Sequence, residues 1–309
     1  MTQARQRVRL GFLVTSDEKT AVPQLEAFMA GMRDRGYQAG DNLVVEIRYA
    51  RGDIRRLSAL AEELVALKPD VLIGAEPAVI ALRRKTTTIP IVLLVSSDPV
   101  AAGLAKSLAH PGTNVTGLAN QFDVIVAKQV ELLLEIAPKI SCIALLNYGP
   151  GSAESEARFR RFAEAAAKAR GLRLVSAVER DEATLRQAFA DFESAKAEAM
   201  IVVPTPPALQ ERVSIVEHAT RRRLLTVSSL PQQWSEAGGL LNYGANAPAD
   251  YRYAASFADR ILRGANPAEI PIEQPSRFEL SVNLKTARQR GVKIPQPVML
   301  RADRVIADD

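Results

Sequence analysis

Histidine, cysteine and aromatic side chains are scarce in this chain of 309 residues, which holds two histidines, one cysteine and 5% Phe, Trp and Tyr together. A lone cysteine, Cys142, excludes a disulfide or a thiolate-metal site within the chain. That suits a reducing compartment, or an exported protein that needs no staple. His110 precedes a proline in a turn pattern and His218 falls inside a helical one. Neither has a Cys, His or Asp partner at ligand spacing, so no metal is expected. No serine pairs with a histidine base, no G-x-S-x-G elbow occurs, and no G-x-x-x-x-G-K-[ST] loop is present. Gly149-Pro150-Gly151 begins like a dinucleotide fingerprint, but Glu154 stands where the third glycine belongs and Pro150 removes an amide. It reads as a structural turn, and no cofactor is expected. No apolar run approaches the ~20 residues of a membrane span. The charged start, M-T-Q-A-R-Q-R-V-R, shows no signal peptide. The formal charge is +5, and the only tight basic run is Arg221-Arg222-Arg223. Without aromatic residues beside it to stack bases, that run reads as solvated surface, and no nucleic-acid partner is expected.

What the chain does have is an alternation of strand and helix patterns. Its length exceeds what one core usually fills, so two lobes are expected. The central stretch runs from Ile89 to Leu118. Ile91 to Val95 reads as a strand buried on both faces of a parallel sheet. Ser96-Ser97-Asp98-Pro99 follows at once, with Asp98 as an N-cap and Pro99 as the first residue of a predicted helix. Small ligands of open α/β sheets sit outside the carboxyl ends of the strands, so these groups are either ligand contacts or merely caps and turns.

Before that stretch, the pattern predicts strands at Val8–Val14, Leu43–Tyr49 and Val71–Ile73, with helices at 21–35 and 54–67. A further helix opens at Gly74-Ala75-Glu76-Pro77. After Val115–Leu118 the alternation starts again. Helices are predicted at 123–136, 153–170, from Asp181 to about 194, after Pro207 up to Arg223, and at 249–263. The strands between them are 142–146, 172–178, 200–203, 224–227 and 240–243. The expected fold class is therefore α/β, with two doubly wound parallel-sheet lobes facing each other across a ligand cleft. The lobes are drawn at 1–120 plus 245–278 and at 121–244 plus 279–309.

Polar groups cluster at the predicted strand ends. Asp17, Glu76 and Asp98 share one rim and would attract an ammonium group, or would each cap a helix. The other rim offers neutral Asn147, Tyr148, Thr205, Ser228, Ser229 and Tyr243. A zwitterion suits that pairing, with its carboxylate on helix N-terminal amides and its ammonium on one of the acids.

Asp98-Pro99-Val100, Gly103-Leu104, Ser107-Leu108 and Pro111-Gly112-Thr113-Asn114-Val115-Thr116-Gly117 together resemble the signature of ABC-transporter substrate-binding proteins related to the tryptophan-binding TrpX type. Further matches fall in the same order: Leu10-Gly11-Phe12-Leu13, Gly40-Asp41-Asn42-Leu43, Gly238-Gly239-Leu240 with Tyr243-Gly244, Arg260 to Gly264, and Phe278-Glu279-Leu280 with Asn283 to Ala287. The resemblance implies a periplasmic binding protein type I-like fold joined by a three-crossover hinge. It implies a non-enzymatic receptor for a small polar metabolite, an amino acid and possibly an aromatic one. A membrane permease would be its partner, the protein a monomer and its location periplasmic. Carried across, the implied ligand positions are Ser16, Asp17, Ala75, Glu76, Ser97, Asp98, Asn120, Gln121, Asn147, Tyr148, Thr205, Ser228 and Tyr243. Two features depart from the family pattern: Glu76, where many relatives have a small or hydroxyl residue, and the proline-rich loop Pro204-Thr205-Pro206-Pro207. The rival reading is a sensory or regulatory effector-binding core on the same fold.

Overall fold

The computed structural model describes residues 7–149, 153–230, 232–275 and 277–307. The chain forms two compact units, Met1–Gln121 with Ala247–Ser276, and Phe122–Asn246 with Arg277–Asp309. It therefore passes from one unit to the other three times. In order, the first run holds β1 (Val8–Val14), α1 (Glu18–Arg33), β2 (Leu43–Tyr49), α2 (Leu57–Ala66), β3 (Val71–Gly74), α3 (Glu76–Lys85), β4 (Ile91–Leu93) and β5 (Val115–Gly117). The second run holds α4 (Phe122–Ile136), β6 (Cys142–Tyr148), α5 (Ala153–Ala169), β7 (Arg173–Glu179), α6 (Glu182–Ser194) and β8 (Ala199–Val202). It continues through α7 (Pro206–Gln210), α8 (Arg212–Arg221), β9 (Leu225–Ser228), α9 (Gln233–Glu236) and β10 (Leu241–Ala245). The returning segment is α10 (Ala247–Leu262). The tail is β11 (Phe278–Asn283), α11 (Leu284–Gln289), α12 (Gln296–Arg301) and β12 (Arg304–Ile306).

The sheet of the first unit is parallel throughout, in the order β2-β1-β3-β4-β5. Side chains alternate across a strand, and here both faces are covered. Leu10, Phe12, Ile73 and Val92 pack with Phe28 and Met32 of α1 and Ala255 and Phe257 of α10. Leu13, Leu72, Ile91 and Leu93 pack with Leu60 and Leu64 of α2 and Val79 and Leu82 of α3. Phe12 and Phe28 meet edge to face at 5.0 Å, which adds about 0.5–1.5 kcal/mol beyond the area buried. Gly31 lets α10 approach α1, because a Cβ there would sit 2.2 Å from the Arg252 carbonyl oxygen.

The second unit repeats the scheme. Its sheet runs β12-β11-β10-β9-β8-β6-β7, so β7-β6-β8-β9-β10 has the same order as the first sheet. One feature departs from the all-parallel expectation: β11 pairs antiparallel with β10, and β12 then pairs parallel with β11. Ala144, Leu146, Met200 and Val202 face α6, α8 and α9, around a Trp234 with no exposed surface. Asp181 caps α6 with a reciprocal capping box through Thr184, which satisfies two otherwise unpaired donors.

Two predicted helices come out differently, and one helix forms where none was predicted. No helix forms after Asp98. Its carboxylate accepts from the Val100 and Ala101 amides, the Leu104 and Ala105 amides both close on the Pro99 carbonyl, and Gly103 turns left-handed at φ +70°. One turn is made and then stopped, because Gly103 takes the conformation that terminates helices. The strand before it ends at Leu93, two residues short of the expected Val95. The helix predicted through Arg223 is broken at Glu211, between α7 and α8. The short α9 fills a stretch where no helix was expected. Of the Gly149-Pro150-Gly151 turn, Pro150 and Gly151 lie outside the described residues; Gly149 has φ +99°.

Candidate functional site

An open parallel sheet binds ligands beyond the carboxyl ends of its strands, where the strand order reverses direction. In the order β2-β1-β3-β4-β5 that point lies between β1 and β3; in the second sheet it lies between β6 and β8. The sequence-predicted residues fall into two groups around these points.

In the first unit, Ser16 and Asp17 follow β1, Ala75 and Glu76 follow β3, Ser97 and Asp98 follow β4, and Asn120 and Gln121 follow β5. Asp17 caps α1, accepting from the Thr20 amide at 2.8 Å. Asp98 caps its own turn, accepting from two amides at 3.1 and 2.9 Å. Glu76 does something different. Its Oε2 accepts from the Ser96 hydroxyl and from the Ser97 amide at 3.1 Å, while its own amide donates to the Val95 carbonyl at 2.9 Å. The carboxylate thus spans from the tip of β3 to the chain leaving β4. Ser96, only 2% exposed, also accepts from the Asp98 amide at 3.2 Å. The Ser96 carbonyl in turn accepts from the Asn120 amide at 2.8 Å. Gln121 donates to the Pro275 carbonyl at 3.4 Å. Ser96 is not among the positions that the family resemblance implies. The hydroxyl pair Ser96-Ser97 was visible, but which of the two turns inward depends on how the chain leaves β4.

In the second unit, Asn147 and Tyr148 end β6, Thr205 follows β8, and Ser228 ends β9. Neighbours on a strand face opposite ways. Tyr148 accordingly turns into the apolar cluster with Leu185, Ala208 and Leu209. Burial, with Glu211, Glu182 and Asp181 nearby, pushes its phenol above the usual tyrosine range. The Thr205 hydroxyl donates to the Tyr148 carbonyl at 2.5 Å and accepts from the Ala208 amide at 3.1 Å. It ties the tips of β6 and β8 together while capping α7. Gly149 completes the joint, since a Cβ there would lie 2.4 Å from the Pro207 ring. Ser228 is spent on the Val202 carbonyl at 2.8 Å and the Leu230 amide at 3.2 Å. Tyr243 sits one residue past the Asn242–Ser228 pair, its ring 5.9 Å from Phe278. Burial raises its phenol as well.

Thr205→Val removes one cap and one bond across the tips while keeping the side-chain volume. It should lower stability by about 1–2 kcal/mol, read from urea denaturation. An unchanged midpoint would mean that Pro207 packing alone holds the joint.

Elsewhere the chemistry is sparse. His218, 8% exposed, pairs its Nε2 with Glu182 at 3.0 Å and stacks on Phe189 at 5.1 Å. The Glu182 carboxyl is held below its usual range by that bond and by the Ser214 hydroxyl. Among the described residues, no group of three or more His, Cys, Asp or Glu side chains is arranged to hold a metal ion. No helix among them is long and apolar enough to cross a membrane. Burial raises the Cys142 thiol, as expected of an inert core residue.

The model of the ABC transporter substrate binding protein family matches residues 16–306. The chain belongs to that family. This substrate-binding protein is 23% identical over 289 residues to a tyrosine-binding protein of Clostridioides difficile, covering 93% of this chain and 82% of that one. Among solved structures it is similar to a conserved domain protein from Vibrio cholerae, with a TM-score of 0.89, 26% identity and coverage of 97% and 100% of the two chains. It is also similar to an ABC domain from Streptococcus pneumonia in complex with L-Trp, with a TM-score of 0.86, 24% identity and the same coverage. Two α/β lobes of the periplasmic-binding-protein kind are thus the architecture of this substrate-binding protein.

Proposed function

We propose that this protein is the receptor component of an ABC-type uptake system and encloses an amino acid, aromatic by preference, between its two units. The ligand is taken by the rims that carry Ser16, Glu76 and Ser97 in the first unit and Asn147 and Thr205 in the second. The observation that carries this reading is the repeated strand order, which gives a chain of this family two switch points, both furnished with polar residues. The tyrosine-binding relative and the L-Trp-bound structure support an aromatic amino acid.

The proposed mechanism needs no bond to be made or broken. A hinged pair of lobes populates open and closed forms, and the ligand's greater affinity for the closed form shifts that equilibrium. The closed form is what a membrane permease would recognise, and the protein would work as a periplasmic monomer.

The test is isothermal titration with the twenty amino acids, after denaturation and refolding to strip bound material. L-Tyrosine or L-tryptophan should bind at about 1 μM or tighter, which is about −8 kcal/mol. Small-angle scattering should show contraction on binding. If no amino acid at millimolar concentration produced heat or raised the unfolding temperature, the amino-acid reading would fail.

A further inference from the structure

We propose that Glu76, held by Ser96, is the specificity-determining residue of the first unit and selects ligands carrying an ammonium group over otherwise identical anions. The inference rests on the amino-acid reading above and adds to it the group that does the choosing.

Three acids stand on this rim, and their geometry separates them. Asp17 and Asp98 each accept amides of the turn that follows them, at 2.8 Å for Asp17 and at 3.1 and 2.9 Å for Asp98. Those bonds point the carboxylates back along their own segments, in the manner of helix caps. Glu76 takes its donors from a different strand. The Ser96 hydroxyl and the Ser97 amide both come from the chain beyond β4. The carboxylate is therefore drawn over the tips of β3 and β4, beside the point where the strand order reverses.

Its support is rigid. Ser96 is 2% exposed and is itself tied through the Asp98 amide and through its carbonyl to the Asn120 amide at 2.8 Å. Glu76 is also the first residue of α3, so its backbone is fixed by the helix as well. A side chain fixed by strand-end groups presents its charge in one place, with little reorganisation when a ligand arrives.

An ionised carboxylate only accepts hydrogen bonds. A ligand group docking on it must bring N–H or O–H donors, and a cationic donor gains most. An anion in the same position meets like charge. An amino acid and its des-amino analogue differ only in that group, so their affinity ratio isolates what Glu76 contributes. A site built around a donor rejects the analogue that lacks it far more strongly than it would reject one missing methylene.

The probes are L-tyrosine and 3-(4-hydroxyphenyl)propanoate, with L-tryptophan and indole-3-propanoate as a second pair, titrated into the full chain. The wild type should prefer each amino acid over its des-amino analogue by roughly 100-fold or more. Glu76→Gln keeps shape and removes charge, and should cut that preference by at least about ten-fold. Ser96→Ala leaves the charge but loosens its hold, and should give an intermediate loss. Circular dichroism and the unfolding midpoint check that both variants are folded. A Glu76→Gln protein that binds L-tyrosine and keeps the full preference overturns the inference while leaving the amino-acid reading intact. A wild type that binds no amino acid overturns both.

Discussion

Trp234→Ala should destabilise the second unit by about 3–5 kcal/mol, the range for removing a fully buried large aromatic side chain. Trp234 has no exposed surface and lies in the cluster formed by Leu146, Val202, Phe189 and Ile215. Its indole N–H donates to the Leu241 carbonyl at 3.2 Å, so truncation also leaves a buried acceptor on β10 without that donor. The neighbouring chain is shaped around the ring: a Cβ at Gly239 would lie 2.2 Å from Nε1. Trp234→Phe retains most of the volume and should cost less than the alanine variant. Chemical denaturation of both variants measures the difference. If the alanine variant unfolded within about 1 kcal/mol of the wild type, the cluster would have to repack around the hole, and its assignment as the centre of this core would be wrong.

Gly117→Ala should cost about 2–5 kcal/mol in the first unit and weaken ligand binding as well. Gly117 ends β5 at φ +136°, a conformation that side-chain-bearing residues rarely adopt and that costs about 1–3 kcal/mol. The added Cβ would also meet the Leu93 carbonyl oxygen at 2.1 Å and the Leu93 nitrogen at 2.7 Å. Both are backbone atoms of the paired strand β4, so neither can swing aside as a flexible side chain could, and overpacking adds about 1–3 kcal/mol. The displacement would travel along a short path. Leu118 donates to Leu93 at 2.8 Å, and three residues on from Gly117 the Asn120 amide holds the Ser96 carbonyl at 2.8 Å. Ser96 holds Glu76. Thermal unfolding and titration with L-tyrosine should therefore move together. Lost stability with full affinity would show that the β4–β5 edge does not position the Glu76 carboxylate.

Local features of this protein were legible before any fold was known, because short-range forces set them. β1 and β2 occupy the predicted residues without a shift. Asp181, from which a helix was predicted to run, is the N-cap of α6. Gly36 and Gly171 end their helices at φ +87° and +69°, where glycine alone carries no steric penalty. The family pattern was legible too: its motif places Asp98 and Gly103 in the turn after β4 and Gly117 at the end of β5, where φ is +136°. The rim positions at the strand ends were readable, but not what each side chain there touches. Tyr148 and Ser228 were polar residues at strand ends; one proved to face the apolar cluster, the other to bond its own neighbours. Alternation along a strand says that neighbours face opposite ways, and burial of the whole strand hides which face is which.

Thus the order of amino acids by itself determined the alternation of elements, the caps and breaks, and the kinship to substrate-binding proteins. All of these follow from periodicity and from backbone preferences that act within a few residues. Packing between distant segments decided the rest. It set α10 against α1 from more than 200 residues away and reversed β11 against β10. It also turned Ser96, rather than Ser97, inward to grip Glu76 through its side chain. A hydroxyl's partner depends on which strand lies alongside, and that is a property of the assembled sheet.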